Sequence, residues 1–182
     1  MSKTCSIAVL VGSLRKESFN QQFAHALVRQ FPADFEAAFL RIDDLPLYNQ
    51  DDDGDPAPAV TRLRQAIKAA AGVLFVTPEY NRSIPGMLKN AIDHGSRPWG
   101  QSVWAGKPAA VAGVSVGPIG AAMAQQHLRN VLAFLNMPTL PGHEMFIPWK
   151  EGLVADGAIG PNSKDFVQSF VDDFADWVRK FN

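Results

Sequence analysis

Short apolar runs alternate with helical patterns along this chain, and this alternation constrains the fold more than any other feature of the sequence. The runs Ile7–Val11, Val73–Val76 and Pro108–Val116 consist mainly of small or apolar residues, as is typical of strands buried on both faces of a parallel sheet. Helical patterns follow these runs; Phe19 and Phe23, for example, are four residues apart on one helix face. Five such strand–helix units predict an α/β fold with a doubly wound parallel sheet.

The same patterns give approximate bounds for the elements. The predicted strands are Ile7–Val11, Phe35–Ile42, Val73–Val76, Pro108–Val116 and Thr139–Ile147, the last interrupted by Pro141-Gly142. The predicted helices are Phe19–Gln30, Pro58–Ala71, a helix capped by Ser83 that ends at Gly95, Ala121–Leu135, and a last helix capped by Asn162 or Ser163. The acidic stretch Asp51–Asp55 and the segment 151–161 are predicted as loops. Because no linker divides the chain, residues 1–182 are expected to form a single domain.

Five parallel strands in the order 2-1-3-4-5 define the three-layer, flavodoxin-like arrangement, which is the predicted fold class. Ligands bind such a sheet outside the carboxyl ends of its strands, at the point between strands one and three where the order reverses. Polar loops follow three of the strands, at residues 12–20, 77–83 and 115–120. We therefore expect these three loops to meet at one edge of the sheet and to form the binding site.

Composition and motif content argue against several other classes of protein. The formal net charge is −1, which gives no indication of a nucleic-acid partner or an acidic membrane surface. No stretch approaches the roughly eighteen apolar residues that a membrane span needs. The only cysteine, Cys5, cannot form an internal disulfide, so we predict a reducing compartment and a cytoplasmic protein. The histidines lack zinc-ligand spacing, and neither a Gly-x-Gly-x-x-Gly nor a Walker A sequence is present.

The first polar loop predicts a phosphate site. It lies between a strand and a helix N-terminus, where unpaired backbone N–H groups and the helix dipole attract anions. Its polar side chains are the hydroxyls of Ser13 and Ser18, the amide of Asn20 and the guanidinium of Arg15. Our hypothesis is that this loop holds the phosphate of flavin mononucleotide (FMN). Ser18 with Gln21 also forms a Ser-x-x-Gln capping box, which any helix can use, so both interpretations remain open at this point.

The second and third loops could hold the flavin ring. The pyrimidine edge of that ring needs backbone N–H and C=O partners, and the second loop offers them at Glu79, Tyr80 and Asn81 after the rigid Pro78. Glycines let the third loop approach a ring closely, and its candidate contacts are Ser115 and Gly117. Each of these residues, considered singly, could equally be structural. No catalytic side chain is predicted, because a flavin carries its own redox chemistry.

Several of these motifs together resemble the family of NADPH-dependent FMN reductases, which includes bacterial quinone and chromate reductases. The resembling segments are residues 12–20, Thr77–Asn81, Ser83–Asp93, Ala105–Pro108 and His127–Arg129. The resemblance covers most of the chain. The chain departs from the family pattern at Gly120-Ala121, where paired glycines are usual, and at Arg82, where an aromatic residue is frequent.

The resemblance implies a flavodoxin-like fold with FMN bound non-covalently, in a homodimer or homotetramer. Ser13, Arg15, Ser18 and Asn20 would then contact the phosphate and the ribityl chain. The isoalloxazine contacts would be Pro78, Glu79, Tyr80 and Asn81, with Ser115 and Gly117 in the third loop.

The expected activity is hydride transfer from NADPH or NADH through FMN to a small acceptor, such as a quinone, chromate or a free flavin. Arg82 is a candidate contact for the NADPH phosphate or for an anionic acceptor. Two alternatives remain: an FMN electron carrier without its own NAD(P)H reaction, and an interaction domain without flavin. The weak net charge disfavours a carrier, since carriers tend to be strongly acidic.

Overall fold

A five-stranded parallel sheet forms the centre of the computed structural model, which describes residues 4–182. Its strands are β1 (Cys5–Val11), β2 (Phe35–Phe39), β3 (Gly72–Val76), β4 (Ala109–Ser115) and β5 (Met145–Pro148). Neighbouring strands are all parallel and lie in the order β2-β1-β3-β4-β5. The order 2-1-3-4-5 expected from the sequence is therefore confirmed.

Five α-helices cover the two faces of this sheet. They are α1 (Phe19–Val28), α2 (Pro58–Ala69), α3 (Gly86–Gly95), α4 (Ala122–Phe134) and α5 (Pro161–Lys180). Alternate side chains of β1 belong to opposite cores: Val9 packs in the cluster that includes residues of α1 and α5, and Leu10 in the cluster that includes residues of α2, α3 and α4. The apolar run of β1 is therefore buried on both faces, as its lack of alternation predicted.

Two helix starts differ from the sequence prediction. Helix α3 begins at Gly86 with Pro85 as its N-cap, because Ser83 is hydrogen-bonded within the preceding hairpin. Helix α5 begins at Pro161 with Gly160 as its N-cap, so neither Asn162 nor Ser163 is the capping residue. Proline suits the first helical position because its missing N–H would have no partner there.

Three further segments are also more structured, or structured differently, than predicted. The fifth strand is confined to Met145–Pro148, and Thr139 makes only an isolated parallel bridge to Ala109. The acidic stretch forms an exposed 3-10 helix, Gln50–Gly54. The segment 151–161 contains a small hairpin of β6 (Val154–Ala155) and β7 (Ala158–Ile159). Among the described residues, no helix combines the length and apolar character needed to cross a membrane.

Candidate functional site

The three polar loops lie together at the carboxyl edge of the sheet. The first and second loops touch, since a Cβ added to Gly12 would lie 3.5 Å from Cδ of Pro78. The first is also tied to the end of β3, where the Gly12 amide donates to the Val76 carbonyl at 2.9 Å. The second is joined to the start of α4, directly after the third loop, through Glu79. The loops therefore form one continuous rim over β1, β3 and β4.

The loop between β1 and α1 leaves much of its hydrogen-bonding capacity unused. The amides of residues 14–17 have no acceptor in the part of the chain that the structure describes. Ser13 and Ser18 are buried, whereas Arg15 is exposed. Ser18 is indeed the N-cap of α1, and its Oγ accepts a hydrogen bond from the Gln21 amide at 3.2 Å. Its hydroxyl hydrogen remains available as a donor, so capping does not exclude a ligand contact.

Asn20 makes two internal hydrogen bonds that extend the sheet. Its Nδ2 donates to the Val114 carbonyl and its Oδ1 accepts from the Val114 amide, each at 2.9 Å. The last paired residues of β3 and β4 are Val76 and Ala112, so β4 has no strand partner on that side at Val114. The Asn20 side chain supplies one donor and one acceptor there, as a peptide group would. It therefore shapes the crevice and fastens α1 to β4.

The loop after β3 is a tight hairpin. Tyr80 and Ser83 exchange two backbone hydrogen bonds, at 2.9 and 3.0 Å. Between them, Asn81 and Arg82 have φ angles of +51° and +64°, and two successive positive values are the pattern of a type I′ turn. Within the described chain the amides of Glu79 and Asn81 have no acceptor. The hairpin is thus rigid and still has the amides of Glu79 and Asn81 to offer as donors.

The side chain of Glu79 is turned away from these amides and serves helix α4. Its Oε2 accepts from the amides of Met123 and Ala124 at 3.0 and 3.2 Å, and its Oε1 accepts from Arg82 at 2.9 Å. Helix α4 needs this partner, because its N-cap residue Ala121 has no side-chain hydrogen bond. A carboxylate at a helix N-terminus is also favoured by the helix dipole. Only 8% of the Glu79 side chain is exposed.

The third loop combines open space with a close backbone approach. The Oγ of Ser115 accepts from the Gly117 amide at 3.2 Å, and a Cβ on Gly117 would have no neighbour closer than 3.6 Å. A Cβ on Gly120, by contrast, would lie 2.3 Å from the Ile147 amide nitrogen. Ala121 has a φ of +62°. This left-handed conformation favours glycine, which gives a physical reason for the paired glycines usual in the resembling family.

Sequence reasoning missed the contacts of four polar side chains at this edge. Thr77 Oγ1 donates to the Pro78 carbonyl at 2.7 Å, and Ser83 Oγ lies 2.7 Å from Nδ1 of His127. Gln125 is fully buried, and its Nε2 donates to the carbonyls of Gly113, Gly120 and Met145. The sequence did carry a signal for Gln125. This residue lies three positions before Leu128, on the inner face of the predicted helix, and a buried side-chain amide needs hydrogen-bond partners.

The donor set of this rim fits FMN. At one end, free amides at a helix N-terminus and the exposed Arg15 suit a phosphate. At the other end, the amides of Glu79 and Asn81 suit the amide-like edge of a flavin ring. The open side of Gly117 leaves room for a ligand between the ends. The fold and rim thus define a flavodoxin-like α/β protein with a site for a phosphorylated flat heterocycle.

Comparison with known proteins identifies the family. The family model of NADPH-dependent FMN reductases matches residues 5–151. The chain is 52% identical to a 2-hydroxy-1,4-benzoquinone reductase of Burkholderia sp. over 175 residues, covering 95% of this chain and 96% of the relative. It is 49% identical to a quinone reductase of Pseudomonas putida, covering 98% and 97%.

Solved structures agree with this result. FerB, a flavoenzyme NAD(P)H:(acceptor) oxidoreductase from Paracoccus denitrificans, superposes with a TM-score of 0.93 at 45% identity, covering 98% of this chain and 99% of FerB. The chain belongs to the family of NADPH-dependent FMN reductases. It is therefore an FMN-dependent NAD(P)H oxidoreductase, and the resemblance noted in the sequence is confirmed.

Proposed function

We propose that this protein is an FMN-dependent quinone reductase in which residues 1–182 form one flavin-binding domain. The observation that carries the proposal is the rim of unpaired amides, which has an anion site at one end and a rigid hairpin at the other. FMN supplies the hydride chemistry when it is bound. The protein contributes positioning and electrostatics to the reaction, which is consistent with a site that needs no catalytic acid or base.

The proposed phosphate and ribityl contacts are in the first loop and at the start of α1. Arg15 supplies charge, and Ser13 and Ser18 supply hydroxyl donors. Asn20 belongs to this group mainly through shape, because its amide is already bonded to Val114 on both sides. Free amides in the loop complete the anion site.

The proposed ring contacts are in the hairpin and in the third loop. Pro78 and Tyr80 would give apolar surface, and the amides of Glu79 and Asn81 would donate to the pyrimidine edge. Ser115 and Gly117 would border the ring on the β4 side. Because internal hydrogen bonds fix the hairpin before a ligand binds, little conformational freedom is lost on binding.

Quinones are the proposed acceptors. The Burkholderia and Pseudomonas relatives, at 52% and 49% identity, are named as quinone reductases, which supports this choice. A quinone is flat and apolar and can stack where the nicotinamide had been, so one open ring face could serve both substrates in turn. Chromate is a weaker candidate, because one N–H group of Arg82, the cation on this hairpin, is bonded to Glu79 and only the rest of the guanidinium can attract an anion.

We also propose a homodimer or homotetramer. Helices α3 and α4 border a cavity of about 1030 Å³ that includes apolar residues. Trp99 and Phe134 line this cavity and are 78% and 80% exposed. Met123, near the opposite end of α4 from Phe134, is 46% exposed. Large exposed apolar side chains around one cavity, here Trp99 and Phe134, are typical of a surface that is covered in solution. A second copy of this chain is the simplest partner for this face.

The proposed location is the cytoplasm. Cys5, the one cysteine, is free, which suits a reducing compartment. NAD(P)H is the reductant that the family uses, and it is made inside cells.

Rapid mixing of the FMN-loaded protein with NADPH, followed by a benzoquinone, tests the proposal. We expect the flavin absorbance to bleach with NADPH and to recover with the quinone, with two electrons delivered per turnover. Parallel assays with chromate and free FMN rank the acceptors. A flavin that stays oxidised with both NADPH and NADH would indicate a carrier. Recovery with chromate or free FMN, but not with any quinone, would reject the quinone assignment.

A further inference from the structure

Three planar groups form a stack beside the loop between β1 and α1. The rings of Phe19 and Trp149 are stacked, with centroids 4.3 Å apart and planes 17° from parallel. The guanidinium carbon of Arg15 lies 4.6 Å from the Phe19 centroid. Because Trp149 covers one face of the Phe19 ring, the guanidinium occupies the other face. We call the two rings, Phe19 and Trp149, the aromatic platform.

The platform is fixed to the site at both ends. Phe19 is the first residue of α1, directly after Ser18, the N-cap. Trp149 directly follows β5, and its amide donates to the Ser115 carbonyl at 2.7 Å. The stack therefore connects the first polar loop to the third across the carboxyl edge of the sheet.

Arg15 is held by this platform without using its donors. Among the described residues it makes no ion pair and no side-chain hydrogen bond, whereas Arg62 donates to Asp44 and Arg179 to Asp34. A cation–π contact engages the flat face of a guanidinium and leaves the N–H groups along its edge free. Those groups have the fork geometry that binds a phosphate through two parallel hydrogen bonds.

We infer that the aromatic platform positions Arg15 for the phosphate of FMN, and that Trp149 is thereby a positioning residue for the discrimination of FMN from riboflavin. The inference rests on the proposed function, because it takes the first loop as the phosphate site. An unrestrained arginine loses rotamer freedom when it binds, and the platform removes part of that loss in advance. The effect of Trp149 therefore runs through Arg15 and requires a phosphate on the ligand.

The test compares the dissociation constants of FMN and riboflavin, measured by titration of the apoprotein with each flavin. Trp149→Leu should weaken FMN binding about fivefold and leave riboflavin binding within about twofold of the wild-type value. Trp149→Phe keeps a ring on Phe19 and should recover most of the FMN affinity. Arg15→Ala should weaken FMN binding about tenfold or more. In the Arg15→Ala background, Trp149→Leu should have almost no further effect.

Trp177→Leu is the matched control. Trp177 also has a cation, Lys180, over its ring, but it lies on α5 and donates to the Pro138 carbonyl. Its loss should leave the ratio of FMN to riboflavin affinity unchanged. Equal weakening of both flavins by Trp149→Leu, or additive losses in the double variant, would overturn the inference. If Trp149→Leu does not fold, Phe19→Leu, which removes the ring that Arg15 contacts, provides the same comparison. A wild-type protein that binds neither flavin would instead overturn the proposed function.

Discussion

The two ends of the site use similar polar sequences in opposite ways. In the loop between β1 and α1, the amides of residues 14–17 and the donors of Arg15 have no partner in the described chain. In the hairpin after β3, the side chains of Glu79, Arg82 and Ser83 are all bonded to other protein groups. The first end leaves the amides of residues 14–17 and the donors of Arg15 unpaired, whereas the second uses these three side chains to hold its own shape.

This difference matches what each end is proposed to bind. A phosphate is a compact anion that many donors can satisfy, so loose amides and one cation suffice. A flavin ring needs a few donors at fixed positions along one edge, so the backbone that carries them must be rigid. Variants at the hairpin should therefore change the stability of the protein. Variants of Arg15 and its neighbours in residues 14–17 should mainly change the affinity for FMN, whereas Asn20 is bonded to β4 and should affect stability.

The largest effect is expected for Gly113→Ala, beneath the hairpin. A Cβ at this position would lie 2.1 Å from the Thr77 carbonyl oxygen, which is backbone and has little room to move. We expect the free energy of unfolding to fall by more than about 3 kcal/mol. Gly117→Ala is the control, because its Cβ has no neighbour closer than 3.6 Å, and it should stay within about 0.5 kcal/mol of wild type. If Gly113→Ala and Gly117→Ala are equally stable in urea unfolding, the backbone beneath the hairpin can move to accommodate the added methyl group.

Asn20→Ala should have the next largest effect. It would leave the buried amide and carbonyl of Val114 without partners, at a cost of about 2–4 kcal/mol in the free energy of unfolding. Asn90→Ala removes a similar pair of hydrogen bonds, to Tyr48 and Pro46 at 2.8 Å, from a more exposed site. Asn90→Ala, the control, should lower the free energy of unfolding by only about 1 kcal/mol and should not change FMN affinity. If both variants lose the same stability, Asn20 is no more than an ordinary surface contact.

The sequence was sufficient to predict the sheet and the loops that meet at its edge. Apolar runs such as Ile7–Val11 specify strands buried on both faces, and the order of a doubly wound sheet then determines which loops become neighbours. The three loops follow from that order and from their polar residues.

The partners of individual side chains could not be predicted in the same way. Asn20 bonds to a residue 94 positions away, and Glu79 to one 44 positions away. No local pattern encodes such a pair, because either residue could equally face a ligand. The same limit explains the error at Ser83, whose sequence suits a helix cap but whose backbone closes the hairpin with Tyr80.

Variants of Glu79 give a smaller and more specific test of how the hairpin after β3 is held. Glu79→Ala removes the acceptor of two α4 amides and should cost about 1–2 kcal/mol in the free energy of unfolding. Glu79→Gln keeps an acceptor oxygen and should lose less than half as much. Urea unfolding of the apoprotein should show wild type as the most stable, Glu79→Gln as the next and Glu79→Ala as the least stable. If the apoprotein with alanine is as stable as wild type, the hairpin is held by its turn alone.

Arg82→Ala should have the smallest effect on stability, because the Arg82 side chain is 72% exposed and Glu79 keeps its two hydrogen bonds from α4 without it. We expect less than about 0.5 kcal/mol in the free energy of unfolding. Its effect should instead be kinetic: one N–H group is bonded to Glu79, and the rest of the guanidinium can still attract an anion.

The kinetic measurement compares the Michaelis constants for NADPH and NADH, which differ by one phosphate. The KM for NADPH should rise about threefold to tenfold in Arg82→Ala, with the KM for NADH and for a neutral quinone unchanged. Arg82→Lys retains the charge and should recover part of the difference. If KM stays the same for both nucleotides and for an anionic quinone, Arg82 serves only to complete the turn. The side chains of Glu79, Arg82 and Ser83 would then all serve the hairpin internally, and its contrast with the open loop would be sharper still.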